Sequence, residues 1–156
     1  MNRKFSVLVV AFSIALAVVP VMAAPPLNVH IEVPTIIEAL PDPTSDNFTA
    51  TGPAVDAGLM CSTGEVFNLS IIVSGPPGGT FSILRVLKHF VCDDGSGTFD
   101  VKMVVRLDLT TNETIAHWRV VGGTGAYVGL HGNGKLIGIP IAPGSSILDI
   151  YDGRMH

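Results

Sequence analysis

Charge is scarce in this chain. Only 14% of its 156 residues are Asp, Glu, Lys or Arg, and acids outnumber bases thirteen to nine. A polyphosphate partner needs a basic face from which counterions are released, so nucleic acid is excluded as a partner. Metal-ligand spacing is also missing: His30, His89, His117, His131 and His156 form neither a His-x-His pair nor a His-Glu-x-x-His helix. No metal and no cofactor is therefore expected. There is no Gly-x-Ser-x-Gly elbow. Beyond residue 24 no apolar run is long enough to span a bilayer. No stretch there has useful helical periodicity, which excludes helical bundles and layered α/β folds.

What is present begins with an export signal. Arg3 and Lys4 precede an uncharged, apolar stretch from Phe5 to Ala24, and Val21 and Ala23 suit the −3 and −1 positions of a signal peptidase site. Residues 1–23 are read as a cleaved signal peptide; the competing reading is an uncleaved anchor, against which Pro20 and the small residues weigh. The expected location is secreted, extracellular or periplasmic. Cleavage removes Arg3 and Lys4 from the nine bases and leaves seven against thirteen acids. Cys61 and Cys92, the only cysteines, both survive it, and an even pair in an exported chain is most simply a disulfide. Closing a loop of about 30 residues would stabilise the fold by roughly 3 to 4 kcal/mol on the chain-entropy account. A catalytic thiol would need a basic neighbourhood, and none is evident.

Residues 24–47 carry Pro25, Pro26, Pro34, Pro41 and Pro43, which forbid a helix and predict an extended arm, with one short edge strand at Val29–Val33. The domain proper is placed at 48–156. Residues 65–74 set Phe67, Leu69, Ile71 and Val73 opposite Asn68, Ser70 and Ser74, the period of a half-buried strand. Gly75–Gly79 then forces a turn into residues 80–92, which are β-rich but mixed in period, as at a bulge or in a strand covered on both faces. That hairpin would bring Cys61, before the first strand, beside Cys92 at the end of the second. The clearest alternation follows: Phe99, Val101, Met103, Val105, Leu107 and Leu109 on one face, with Asp100, Lys102, Arg106 and Asp108 on the other. A return strand at 114–121 and strands near 135–141 and 146–152 complete five to eight strands with Gly/Pro turns. The fold class is all-β, a small antiparallel barrel or sandwich without substantial helix.

Val120 to Gly134 reads Val-Val-Gly-Gly-Thr-Gly-Ala-Tyr-Val-Gly-Leu-His-Gly-Asn-Gly. A phosphate-cradling loop is the wrong reading, because no helix follows to receive the charge; Gly122, Gly123 and Gly125 are structural turn residues. The stretch resembles the glycine-rich segment of the dirigent and allene oxide cyclase families, strongly over about 15 residues. The resemblance implies a small eight-stranded antiparallel barrel that holds a small hydrophobic substrate and steers its cyclisation or coupling. None of those families' catalytic positions can be matched here, so catalytic residues are unassigned.

The first functional expectation is a secreted barrel that binds a small apolar molecule in its interior or at one mouth. The second is a cyclase or isomerase acting by confinement, with Arg85, His89, Tyr127 and His131 as ligand-contacting candidates. A carboxylate or Arg inside the barrel near a Tyr or His would favour it. The third is a surface or assembly module bearing a broad apolar patch outside. Asn47, Asn68 and Asn112 stand in N-glycosylation patterns.

Overall fold

A computed structural model describes residues 25–36, 45–76, 78–142 and 146–156. The signal segment 1–23 and residues 37–44 of the proline-rich region lie outside the described residues. Eight strands run in chain order as an antiparallel meander, β1 Leu27–Ile36, β2 Asp46–Thr51, β3 Thr63–Ser74, β4 Phe81–Cys92, β5 Thr98–Asp108, β6 Thr114–Gly123, β7 Gly132–Ala142 and β8 Ser146–Met155. The barrel closes between β8 and β1, so the hydrogen-bonding edges of both are used by each other. Among the described residues the helical content is a single turn, α1 at Pro53–Asp56, and a 3₁₀ turn at Gly125–Tyr127.

The barrel starts earlier than the sequence suggests. Residues 27–36, read as part of an arm, form β1 and pair with β8 from Leu27↔Met155 to Ile36↔Ser146. Pro34 lies beyond Glu32↔Thr49, the last residue pair recorded between β1 and β2. A missing N–H there costs no ladder bond to β2 among the described residues.

Alternation then decides the core. Val29, Ile31 and Val33 from β1, Phe90 from β4, Phe99, Val101 and Met103 from β5, Trp118 from β6, Leu136 from β7 and Tyr151 from β8 are all buried inside. The Asp100, Lys102, Arg106 and Asp108 face of β5 points outward. The mixed pattern of 80–92 has a different origin from a bulge in that strand. β4 alternates regularly, its outer residues Phe81, Ile83 and Leu87 are half-buried, and the register shift belongs to β3, between Asn68 and Ser70. That shift changes the parity of β3: Val66 and Asn68 share the inward register before it, and Ile71 after it, opposite Phe90, Lys88 and Val86.

The two ends of the barrel differ. At the disulfide end the 93–97 turn, α1 and the glycine-rich segment close the bottom, and Cys61 and Cys92 are bonded with Cα atoms 5.9 Å apart. The glycine segment is a clamp on the 93–97 turn, with Ala126 N–H donating to the Ser96 carbonyl and Thr124 N–H to that of Thr98 (both 2.8 Å). Gly125 (φ 59°) and Gly97 (φ 147°) lie in the left-handed half of backbone space, and a Cβ on either would strike the other segment's backbone. At the opposite, hairpin end lie the β3–β4 and β5–β6 connections.

Candidate functional site

The bore of an eight-stranded barrel is just wide enough to be filled by side chains or to hold one small ligand. Here the lower half is filled. Phe90 stacks on Phe99 with centroids 4.8 Å apart, Phe48 meets Phe90 edge-on at 5.3 Å, and Tyr151 contacts both Phe90 and Trp118. Glycines make room for these rings: a Cβ on Gly64 would overlap Phe48, and one on Gly153 would overlap Trp118. Trp118 stays satisfied by donating its indole N–H to the Lys135 carbonyl at 3.0 Å. These five aromatic side chains are at most 2% exposed.

Above this floor the interior becomes polar. Lys88 of β4 and Asp149 of β8 both point inward, at 5% and 8% exposure, with Lys88 Nζ 3.4 Å from Asp149 Oδ2. Thr35 of β1 donates its hydroxyl to the same oxygen at 3.4 Å. Burial raises the Asp149 carboxyl above its ordinary value, and the Lys88 ammonium opposes the rise. Tyr151 carries its ring in the aromatic floor. Its phenol is pushed well above the ordinary value by burial and then by the charges of Asp149 and Asp46, so it stays neutral.

Among the described residues three buried polar atoms have no hydrogen-bond partner: Tyr151 hydroxyl, Thr114 Oγ1 and Asn68 Oδ1. All three residues belong to the inner face, Asn68 opposite Lys88 and Thr114 opposite Gly138, itself opposite Asp149. Gly138 lets these side chains pack close together, because a Cβ there would collide with Thr114 Oγ1, Ile147 Cδ1 and Asp149 Oδ1. The surrounding wall is apolar, formed by Val86, Val105, Ala116 and Ile147, which are 5–9% exposed.

The residues singled out from sequence lie elsewhere. Arg85 is exposed on the outer face of β4. His89 is also on that outer face, with Nδ1 2.6 Å from Asp100 Oδ1 across the β4–β5 pair. Tyr127 is buried at the disulfide end, bonded to Ser96 Oγ at 2.7 Å and edge-on to Phe99. His131 is exposed and pairs with His156, each backbone N–H donating to the other's carbonyl at 2.9 Å, the rings 5.5 Å apart. None of the four joins the interior cluster. Gly125 opens the 3₁₀ turn, as read from sequence, whereas Gly122 and Gly123 are the last residues of β6, paired with Asp100 and Phe99. Asn68 faces the barrel interior, which leaves no path for a glycan there. Among the described residues no group of three or more His, Cys, Asp or Glu could hold a metal.

Sequence reasoning missed Lys88, Asp149, Tyr151 and Thr114 as a group. One signal was available: Lys88 shares the parity of Val86 and Phe90, and Asp149 that of Ile147 and Tyr151, so each is a charge on an otherwise apolar face. Outside the barrel, Ile115, Ile137 and Ile150 sit in one cross-strand row and Ile139 and Leu148 in the next. Ile115, Ile137 and Ile139 are about half-exposed. No family model, curated protein or solved structure matches the chain.

Proposed function

We propose that this is an exported barrel that binds a small, largely apolar molecule in the upper half of its bore, its polar end directed to Lys88, Asp149 and Tyr151. The observation that carries the reading is the set of buried polar atoms without protein partners beside the buried Lys88–Asp149 pair, surrounded by apolar side chains. Buried polar groups are nearly always hydrogen-bonded, and leaving one unpaired costs about 1 to 3 kcal/mol, so such a set marks a place where a further molecule bonds. A few converging polar groups in an apolar recess is also the usual make-up of a small-molecule site. Export is supported by the N-terminal signal pattern and by the Cys61–Cys92 bond. No helix among the described residues is long and apolar enough to cross a membrane. The resemblance of the glycine-rich segment to the dirigent and allene oxide cyclase families agrees with a ligand-holding barrel.

Trp118, the single tryptophan, lies in the floor of the bore and reports on it. Titration with the neutral dye N-phenyl-1-naphthylamine is expected to give saturable one-to-one binding with quenching of Trp118. Ala116→Phe, which narrows the bore, is expected to abolish it. Absence of saturable binding to the folded protein overturns the reading.

A carboxyl group beside a phenol and an ammonium favours a second reading, an isomerase that works by confinement. Asp149 is the candidate proton carrier, because burial raises its carboxyl above the ordinary value and so favours its holding and passing a proton. Chromatography of a bound ligand before and after incubation tests it. Conversion that is lost in Asp149→Asn, with binding retained, is the expected result; an unchanged ligand leaves a binding protein only.

A further inference from the structure

We infer that the outer wall across β5 to β8 docks on an anionic lipid bilayer, its isoleucines settling among the acyl chains and a band of cations lying against the headgroup phosphates. This face lies outside the barrel, so its role does not depend on what the bore holds. In sequence the cations are scattered through an acid-rich chain. Barrel register gathers them. One cross-strand row of the outer wall runs Arg85, Val104, His117, Lys135, Asp152 and His30. The row on its disulfide-end side runs Leu87, Lys102, Arg119, Asn133, Arg154 and Asn28. Together they hold five Lys or Arg against one acid, Asp152.

All five cations are exposed. Among the described residues none of them forms an ion pair with a carboxylate. The neighbouring acids are engaged by histidines instead, Asp152 and Glu32 by His30 and Asp100 by His89. A cation band without a counter-charge of its own is left for an external anion.

On the hairpin-end side of this band the wall turns apolar. Ile115, Ile137 and Ile150 occupy the next row, flanked by Arg106 of β5, and Ile139 and Leu148 the row beyond, beside Pro34 of β1. Ile115, Ile137, Ile139 and Ile141 are 47–59% exposed. At the same end the β3–β4 and β5–β6 hairpins expose Ile72, Val73 and Leu109. An exposed apolar patch with a polar rim marks an interaction site.

The two bands together select the partner. An anionic bilayer presents phosphates at its surface and hydrocarbon beneath, the complement of both. Long Lys and Arg stems let the charged heads stay at phosphate level while the isoleucines lie deeper. A nucleic acid or other bare polyanion would meet the cations and leave the isoleucines in water. A second copy of the same face would cover the isoleucines but bring the same excess of unpaired cations.

The test is co-sedimentation of the secreted protein with large unilamellar vesicles, one set of phosphatidylcholine alone and one with about one-third phosphatidylglycerol, at about 0.1 M and about 1 M salt. Half-binding to the anionic vesicles is expected at a lipid concentration about tenfold or more below that for phosphatidylcholine, and high salt should remove most of the difference. Lys102→Glu/Arg119→Glu is expected to weaken binding to the anionic vesicles about tenfold, and Ile137→Ser/Ile139→Ser several-fold. Each comparison keeps the same N-terminus, so any vesicle binding by residues 1–23 cancels. Equal binding to both vesicle types, or binding to neither, overturns the inference. Unchanged binding in either double variant does so too: it leaves a general polyanion surface if the isoleucines do not matter, and plain apolar adsorption if the cations do not. A lipid-free oligomer in sedimentation velocity that Ile137→Ser/Ile139→Ser dissociates also overturns it, because a second copy then covers the face. The wild-type comparison of lipids and salt decides even where a variant does not fold.

Discussion

The lower and upper halves of this barrel are built from the same eight strands, yet one is packed with aromatic rings and the other with short side chains around a buried ion pair. Below, Phe48, Phe90, Phe99, Trp118 and Tyr151 fill the bore edge to face, and a disulfide and the glycine clamp lock the connections. Above, the same inward positions carry Val86, Val105, Ala116 and Gly138 around Lys88 and Asp149. The contrast teaches that stability resides at the disulfide end, which leaves the hairpin end free to hold polar groups that a folding core would exclude.

Removing a ring from the floor should break the contrast most severely. Phe90 touches Phe48, Phe99 and Tyr151, so Phe90→Ala is expected to cost about 4 kcal/mol, read as a loss of midpoint in urea unfolding. Val105→Ala on the upper wall, a smaller truncation that removes no ring contact, should cost clearly less. Equal costs would mean that the upper half is packed as tightly as the floor.

Next in size is the ion pair. Lys88→Met leaves Asp149 buried without its cation, at an expected cost of about 3 kcal/mol. The sign of its pH dependence follows from burial. A carboxyl whose folded value is raised contributes stability at low pH, where it is neutral, and loses it as pH climbs through that value. Relative to the wild type, Lys88→Met should therefore gain stability on acidification from pH 7 to pH 5. The double variant Lys88→Met/Asp149→Leu should recover most of the loss. If the single variant shows no pH-dependent difference, Asp149 is not held in a desolvated site.

The disulfide sharpens the lower half from the other side. Cys61→Ser/Cys92→Ser opens a bridge with sequence separation 31 and should cost about 2 to 4 kcal/mol. Dye binding at the hairpin end should persist wherever the variant remains folded.

The smallest effect is expected on the outer wall. His30 places Nδ1 2.7 Å from Asp152 and Nε2 3.2 Å from Glu32. The Asp152 bond, and then the Glu32 bond, raise its imidazole above the ordinary 6.5. Its contribution is thus fully present below pH 6.5 and fades as pH rises through the folded value. NMR titration should place the His30 midpoint above 6.5, and His30→Gln should slightly flatten the neutral-pH slope of thermal stability while leaving the interior untouched.

Much of the barrel was legible one strand at a time. The alternation of Phe99 to Leu107 and of Ala116 to Val120, and the hairpin that joins Cys61 to Cys92, follow from period-two patterning and turn chemistry, and the structure has them so. Prolines misled at β1, because composition cannot tell an arm from a strand whose partner lies 120 residues away. The bulge at Asn68–Ser70 was invisible for a related reason: the run Phe67, Leu69, Ile71, Val73 alternates without a break, and only pairing with β4 shows that one residue is extra.

Sequence by itself determined an all-β chain with little helix, a bonded cysteine pair and an apolar inner face, since each depends on neighbours along the chain. Tertiary structure alone decided that the strands close into one barrel, and that Thr35, Lys88, Thr114, Asp149 and Tyr151, from four different strands, meet inside it. Closure sets which side of each strand is enclosed and which distant strands face each other across the bore. A lone Lys or Asp on an apolar face acquires its partner only when that closure is made.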